Sequence, residues 1–387
     1  MTSPMPDLLQ HVIHGKAAPH VNDLELDGTK IGWYRDRVLA WRRGEKIAPI
    51  TIDAAITRKC NYACSFCYAQ AQASDGGDIS KQQFMDFLSD SAEIGVKGVS
   101  LISDGESTVS PFYGDAIEHG ARVGLQIGVG TNGLLLKRPL LERILPHLSY
   151  LRFNFSAGEK DRYSEIMGAK PDWYDQVIQN VKDAMEIKRR NGYGVVINMQ
   201  MVTMPSFHDQ IVPLAKLARE IRPDYLIYKH TADTVLGTLG VDYAQYDKCY
   251  PKFREAEAMA DDDFRVVVKW SRLADEGKRD YQKCFGPPFI VQLSGNGLIA
   301  PCGFLFNERY RKFHIGNIIQ TRWKDIWASD RYWEVMRYLG SDEFDAQISC
   351  GPNCLQTNTN SWLDKFMQGK VELKPEGAPM PPHAGFL

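Results

Sequence analysis

The stretch Cys60-Asn-Tyr-Ala-Cys64-Ser-Phe-Cys67, lying just after the run Ile50-Thr-Ile-Asp-Ala-Ala-Ile56, decides how the rest of the chain is read. A short apolar run bounded by polar residues predicts a buried strand. Three thiols within eight residues, on the loop that leaves such a strand, can converge on one metal centre. A closed structural zinc site or an ordinary iron–sulfur cluster takes four protein ligands, so a set of three leaves one metal position open to a small molecule. The alternatives are a zinc knuckle, or buried thiols packing as small hydrophobes.

Outward from this loop, 387 residues suffice for a large core plus a smaller domain. A net charge of −2 gives no electrostatic footprint for nucleic acid or an anionic membrane surface. No stretch approaches the length of a membrane-spanning helix. The opening Met1-Thr-Ser-Pro-Met-Pro-Asp-Leu-Leu-Gln10 lacks the basic segment and apolar run of an export signal. The eight cysteines are therefore expected as metal ligands or reactive thiols in a cytoplasmic protein, rather than as disulfides.

From 49 to about 232, short apolar runs alternate with helical stretches, the pattern of parallel βαβ units. Strands are predicted over 51–56, 99–103, 125–130, 150–156, 195–202 and 225–230. Helices are predicted over 112–123, 138–146, 173–190 and 208–220, with one more after a capping box at Ser80-Lys-Gln-Gln83, buried through Phe84, Phe87 and Leu88. Six repeats are too few to close an eight-stranded barrel.

The C-x3-C-x2-C spacing resembles the signature of the radical S-adenosylmethionine (SAM) superfamily, and Phe66 fits the aromatic usual before the third cysteine. That resemblance implies an α/β fold, a partial (β/α)6 barrel like an incomplete TIM barrel. It further implies a [4Fe-4S] cluster held by Cys60, Cys64 and Cys67, with SAM on the open iron. One electron would cleave SAM to a 5′-deoxyadenosyl radical, which takes a hydrogen atom from the substrate. Asp104-Gly105-Glu106-Ser107 resembles the family's Gly-Gly-Glu-Pro, and Gly105 and Glu106 carry over as contacts of the SAM ammonium. Thr131-Asn132-Gly133 resembles its Thr-Asn-Gly. Ser156 matches a serine near the SAM ribose, with Asn154 on the same face; Asn198 and Gln200 share a face of the next strand. Arg162, at the start of the following helix, is the candidate for the SAM carboxylate, although the family's Ile-Arg-Gly reads Ile166-Met167-Gly168 here. Lys229 and His230 emerge at the same strand end, as substrate contacts or as solvated residues. Taken singly, each of these polar residues also suits a helix cap or a turn.

A second thiol set follows. Phe289-Ile-Val-Gln-Leu293 and Leu298-Ile-Ala300 flank Ser294-Gly-Asn-Gly297, a hairpin that brings Cys302 back towards Cys284; Cys350 and Cys354 can supply two more ligands. C-x12-G-x4-C with a later pair resembles the Twitch domain, the shortened SPASM domain, as do His314-Ile-Gly-Asn317 and the Trp-bearing segment after it. The resemblance implies that Cys284, Cys302, Cys350 and Cys354 enclose one auxiliary [4Fe-4S] cluster. A four-cysteine zinc site is the alternative. Cys249 is left over: either a hydrogen-atom donor of the kind some related epimerases use, or a buried inert thiol.

The expected organisation is a lead-in and helix over 1–48, the barrel over 49–232 and a bridge over 233–280. The auxiliary domain, a small α+β unit built on the hairpin, follows over 281–365, and an extended tail over 366–387. The expected activity is radical oxidation or epimerisation of a polar small molecule (a sugar, aminocyclitol or nucleotide derivative), fed by an external one-electron donor such as flavodoxin or ferredoxin. A radical maturase of ribosomal peptides is the second reading, and a non-enzymatic zinc scaffold the third.

Overall fold

The computed structural model describes residues 26–387 apart from 27, 72–76, 271–272 and 274–277. The irregular lead-in expected before residue 26 lies outside them. Ten strands form one sheet in the order β10-β9-β8-β1-β2-β3-β4-β5-β6-β7. They are β1 (Thr51–Ala54), β2 (Gly98–Leu101), β3 (Gln126–Thr131), β4 (Leu148–Asn154), β5 (Val196–Thr203), β6 (Tyr225–His230), β7 (Arg265–Val268), β8 (Ile290–Leu293), β9 (Leu298–Ala300) and β10 (Gly316–Asn317). The row from β8 through β1 to β7 is parallel throughout, and the hairpin strands β9 and β10 add on antiparallel. β2 and β8 are buried at every position, as expected of strands covered on both faces.

All six expected strands form. Two more extend the parallel row. β7 arises from Arg265-Val-Val-Val268, a β-branched run hidden behind an acidic stretch. β8 is the first hairpin strand of the auxiliary segment and pairs in register with β1, Thr51 to Ile290 and Asp53 to Gln292. The second thiol set is therefore built onto the edge of the barrel's own sheet. Strands β1, β4, β6 and β8 each contribute side chains to a single cavity, so the sheet curls around a lumen. β7 and β8 close the row at its two ends without pairing to each other.

Helices cover the outside. The one over Lys81–Ile94 (α1) begins with the predicted capping box, Ser80 and Gln83 satisfying each other's backbone N–H, and stops at Gly95. The end of the barrel remote from the cysteine loop is closed by two chain segments. The Nζ of Lys30 donates to His383 O at 3.0 Å and the Tyr34 hydroxyl to Ala384 O at 2.9 Å. Thr51 Oγ1 donates to Gly385 O at 2.8 Å, and buried Phe386 packs edge-on against Tyr150 at 5.0 Å. The tail, expected as an extended segment, sets its last residues into the base of the barrel.

Candidate active site

The cysteine loop is clamped from three sides. Gly105 (φ +73°) lies against the carbonyl of Thr57, and Gly168 (φ +56°) against that of Ala63; a Cβ at either position would enter those backbones. Glu106 N donates to Lys59 O at 2.9 Å, and Asn132 Nδ2 to Asn61 Oδ1 at 2.7 Å. Ser65 N and Oγ both donate to Ile166 O, at 3.0 and 3.1 Å. Tyr62 stacks on Trp173 and shares a 3.0 Å hydrogen bond with Tyr163. Ile166-Met167-Gly168 thus meets the loop, with a buried methionine where the resembling motif carries arginine.

The Glu106 carboxylate organises this clamp. Oε1 accepts from Thr108 N, Thr108 Oγ1 and Thr131 Oγ1 at 3.1, 2.7 and 2.8 Å, and Oε2 from Asn132 N at 2.8 Å. Glu106, Thr131 and Asn132 are brought together as expected, holding each other and the loop. Asp104, the departure from Gly-Gly-Glu-Pro, has its own reason. Its buried carboxylate accepts from Ser294 Oγ at 2.6 Å and Gly295 N at 2.8 Å, and pairs with Arg58 Nε at 3.1 Å. It joins the cysteine loop to the auxiliary hairpin, and burial pushes its pKa up against the pull of those donors.

Below the loop lies a cavity of about 340 Å³, lined near the loop by Phe66, Cys67 and Tyr68 and deeper by Asn154, Gln200 and Arg152. Gln200 Nε2 donates to Asn154 Oδ1 at 2.9 Å, so those two amides act as a pair. Asn198 is fully buried, donating to the Tyr225 hydroxyl at 3.2 Å. Asn198 is thus outside the lining, and three further expected site residues also lie elsewhere. Ser156 is fully buried and accepts from Val202 N at 3.2 Å, a latch between β4 and β5. Arg162 holds Asp209 through two nitrogens at 2.9 and 3.1 Å and also pairs with Glu165, a network that commits its guanidinium outside the cavity. Cys249 is fully buried at the end of a 3₁₀ turn (Tyr243–Cys249), outside the cavity lining, and burial pushes its thiol up to about 12.

The second set converges around the hairpin. Burial raises Cys284 well above the usual thiol range, reinforced by Cys354, Cys350 and Cys302 in turn, which places all four thiols within each other's field. Cys350 is raised to about 11 by burial and Cys354, with the Arg279 guanidinium pulling the other way. Asn360 Nδ2 approaches Cys284 and Cys354 sulfurs at 3.7 and 3.8 Å, and Gln356 N donates to Cys354 Sγ at 3.3 Å. The C-x3-C turn is accommodated by Asn353 in the left-handed region (φ 59°), its amide donating to Thr231 O. Gln356 then ties this loop to Ile290 O and Pro301 O.

Both donor sets fit iron–sulfur clusters. Clustered cysteines that would repel one another as free thiolates gain most from binding as thiolates to a cationic centre. Among the described residues no group of three His, Cys, Asp or Glu side chains closes on a single-ion position.

The sequence matches the Radical SAM superfamily over residues 55–218 and the Iron-sulfur cluster-binding domain called SPASM over residues 284–355. The chain is a radical SAM protein with a C-terminal auxiliary-cluster domain, and its cofactors are SAM and [4Fe-4S] clusters. It is 22% identical over 293 residues to the tungsten-containing aldehyde ferredoxin oxidoreductase cofactor-modifying protein of Pyrococcus furiosus, covering 72% of this chain and 80% of that one. It is 23% identical to the antilisterial bacteriocin subtilosin biosynthesis protein AlbA of Bacillus subtilis, covering 73% and 60%. The fold is that of Streptococcus suis SuiB bound to the precursor peptide SuiA, with a TM-score of 0.61, 17% identity and coverage of 88% and 80%. No helix among the described residues is long and apolar enough to cross a membrane.

Proposed function

We propose that this radical SAM enzyme is a maturase that takes a hydrogen atom from one residue of a peptide. The observation that carries the reading is the cavity: its lining is drawn from both thiol loops, Cys67 and Tyr68 from one, Leu355 and Gln356 from the other. About 340 Å³ suits a side chain held between the two centres, not a folded partner. AlbA, named for bacteriocin biosynthesis, and SuiB, solved with a precursor peptide, favour a peptide over the small polar molecule expected first.

When bound, SAM and its cluster supply a carbon radical that takes one hydrogen atom, and the auxiliary cluster supplies an acceptor for the second electron. This chain's residues do the rest. Glu106, Thr131 and Asn132 fix the three-thiol loop. Phe66 and the Asn154–Gln200 pair face the cavity, where they orient SAM and the substrate against each other. No thiol beyond the two cluster sets lines the cavity among the described residues, which favours oxidation over hydrogen return by Cys249. An external one-electron donor of the flavodoxin or ferredoxin kind completes the system.

The test is anaerobic turnover of the reconstituted protein with SAM, dithionite and short peptides encoded beside its gene. Modification of one peptide, matched mole for mole by 5′-deoxyadenosine, supports the reading. Turnover of a small molecule, with every such peptide left unaltered, refutes it.

A further inference from the structure

The cavity runs deeper than the cysteine loop requires, and its middle layer is charged. Arg152 on β4 is 8% exposed and lines the cavity. Its register neighbours are Gly130 on β3 and Asn198 on β5, so nothing long stands beside it on either strand. Its Nε is buried without a hydrogen-bond partner among the described residues. Its guanidinium sits over the Tyr150 ring, 5.3 Å from the centroid. Asp53 faces the same space from β1 and accepts from Gln292 at 3.3 Å. Among the described residues the lining carries the cationic side chains of Arg152, Lys229 and Lys269 and the acidic side chain of Asp53. These cations are not the ones that balance the auxiliary thiols; that place belongs to Arg279.

A guanidinium with unused donors facing a partly apolar chamber is a fork for a planar oxyanion. Asp53 in the same layer disfavours a dianion such as phosphate, because two like charges would share a low-dielectric space. A monoanionic carboxylate is the better match. Arg152 precedes Asn154 by two residues, roughly 6–7 Å further from the cysteine loop along the strand. It therefore serves a group other than the amino-acid end of SAM, which the family resemblance places on the open iron.

We propose that the barrel lumen holds a carboxylate-recognition site in which Arg152, seconded by Lys229, grips an acid group of the substrate. It rests on the reading of this cavity as the substrate chamber, and it narrows the peptide to one that presents Asp or Glu. Tyr150, Tyr225 and Phe386 floor the site, so the acid group is met beside aromatic rings that exclude water.

Calorimetry on the reconstituted full chain with SAM tests this, using four probes: N-acetyl-glutamate N-methylamide, its glutamine counterpart, butyrate and butyramide. At least one acid should bind about 30-fold more tightly than its amide, as expected for hydrogen bonds to a charged group. That preference should vanish in Arg152→Gln and survive in part in Arg152→Lys, with SAM affinity and iron content unchanged in both. If Arg152→Gln does not fold, the acid-to-amide ratio of the wild-type protein, and its fall in Lys229→Met, still decide. Preference for butyrate alone supports the carboxylate site and removes the peptide reading. Preference for the acetylated glutamate supports both. Equal affinity of acid and amide, no binding of either acid, or a preference undiminished in Arg152→Gln overturns the carboxylate site while leaving the peptide reading standing.

Discussion

The two thiol sets are held in opposite ways. The first is a loop pinned by its neighbours' backbones: two glycines press on it, and Lys59, Asn61 and Ser65 are bonded to three different segments. Cys60 remains exposed. The second set is enclosed: Cys284 and Cys302 lie at the edge of the sheet, and Gln356 and Asn360 bond back into it. An open site must keep its geometry while one face stays free for SAM, so rigidity comes from behind. A closed site takes its rigidity from the ligands' own surroundings. The protein therefore holds the three-thiol set on a clamped loop, and the four-thiol set between the edge of the sheet and the segment that carries Gln356 and Asn360.

The sharpest break of this comparison removes the open set. Replacing Cys60, Cys64 and Cys67 together by Ala should abolish 5′-deoxyadenosine formation under dithionite and leave about half the iron. Continued SAM cleavage would sink the assignment. Next in size is Cys354→Ala, which should lose or perturb the auxiliary cluster by iron count and electron paramagnetic resonance, while SAM cleavage without peptide persists. Loss of both clusters together would show that the two sets do not hold independently.

A smaller effect concerns Asp53, between the two sets. Burial raises its carboxyl to about 6, with Lys229, then Arg152, then the Gln292 hydrogen bond pulling it back. The folded state then holds a proton that the unfolded chain releases near pH 4. Between those values the folded state binds more protons, so this group makes stability fall as pH rises from 4 to 6, and adds nothing further above. Asp53→Asn should be the more stable protein above pH 6, by up to about 3 kcal/mol from that shift. The two urea curves should converge below pH 4. A difference that stayed constant across this range would rule out the buried carboxyl as its origin.

Most of the parallel sheet was legible because each of the first six strands is a short apolar run between turn signals. β7 was not, since Arg265-Val-Val-Val268 follows the acidic Asp261-Asp-Asp263 and reads as part of a solvated face. Nor was the joining of β8 to β1, because strand pairing across more than two hundred residues leaves no local signal. The Gly105–Glu106 and Thr131–Asn132 pairs were singled out by the resemblance of their motifs, and they do gather behind the cysteine loop. Arg162 does not, because its partner Asp209 lies in a distant turn and claims it. Arg152 and Asp53 belong to no motif, each being a single charge inside a strand. A charged residue in the middle of an otherwise buried strand was the available sign.

The smallest effect tests the link between the two regions. Asp104 stands where the resembling motif has glycine, and its carboxylate accepts from Ser294 and Gly295 of the hairpin while pairing with Arg58 beside the cysteine loop. Asp104→Asn keeps the shape but loses the charge and one acceptor. The Ser294 hydroxyl can reverse and accept instead, whereas Arg58 has no such remedy. A cost of about 1–3 kcal/mol follows from leaving one buried donor without its anion. The urea midpoint should fall accordingly, with both clusters still assembled, because the clamps at Gly105, Asn132 and Ile166 do not pass through this side chain. Coupling between the regions should weaken in parallel: a Cys354→Ala change should disturb the SAM cluster's spectrum less in the Asp104→Asn background than in the wild type. An unchanged midpoint would show that the tie contributes nothing to stability. Equal disturbance in both backgrounds would show that the shared sheet, through β8 and β1, carries the coupling instead.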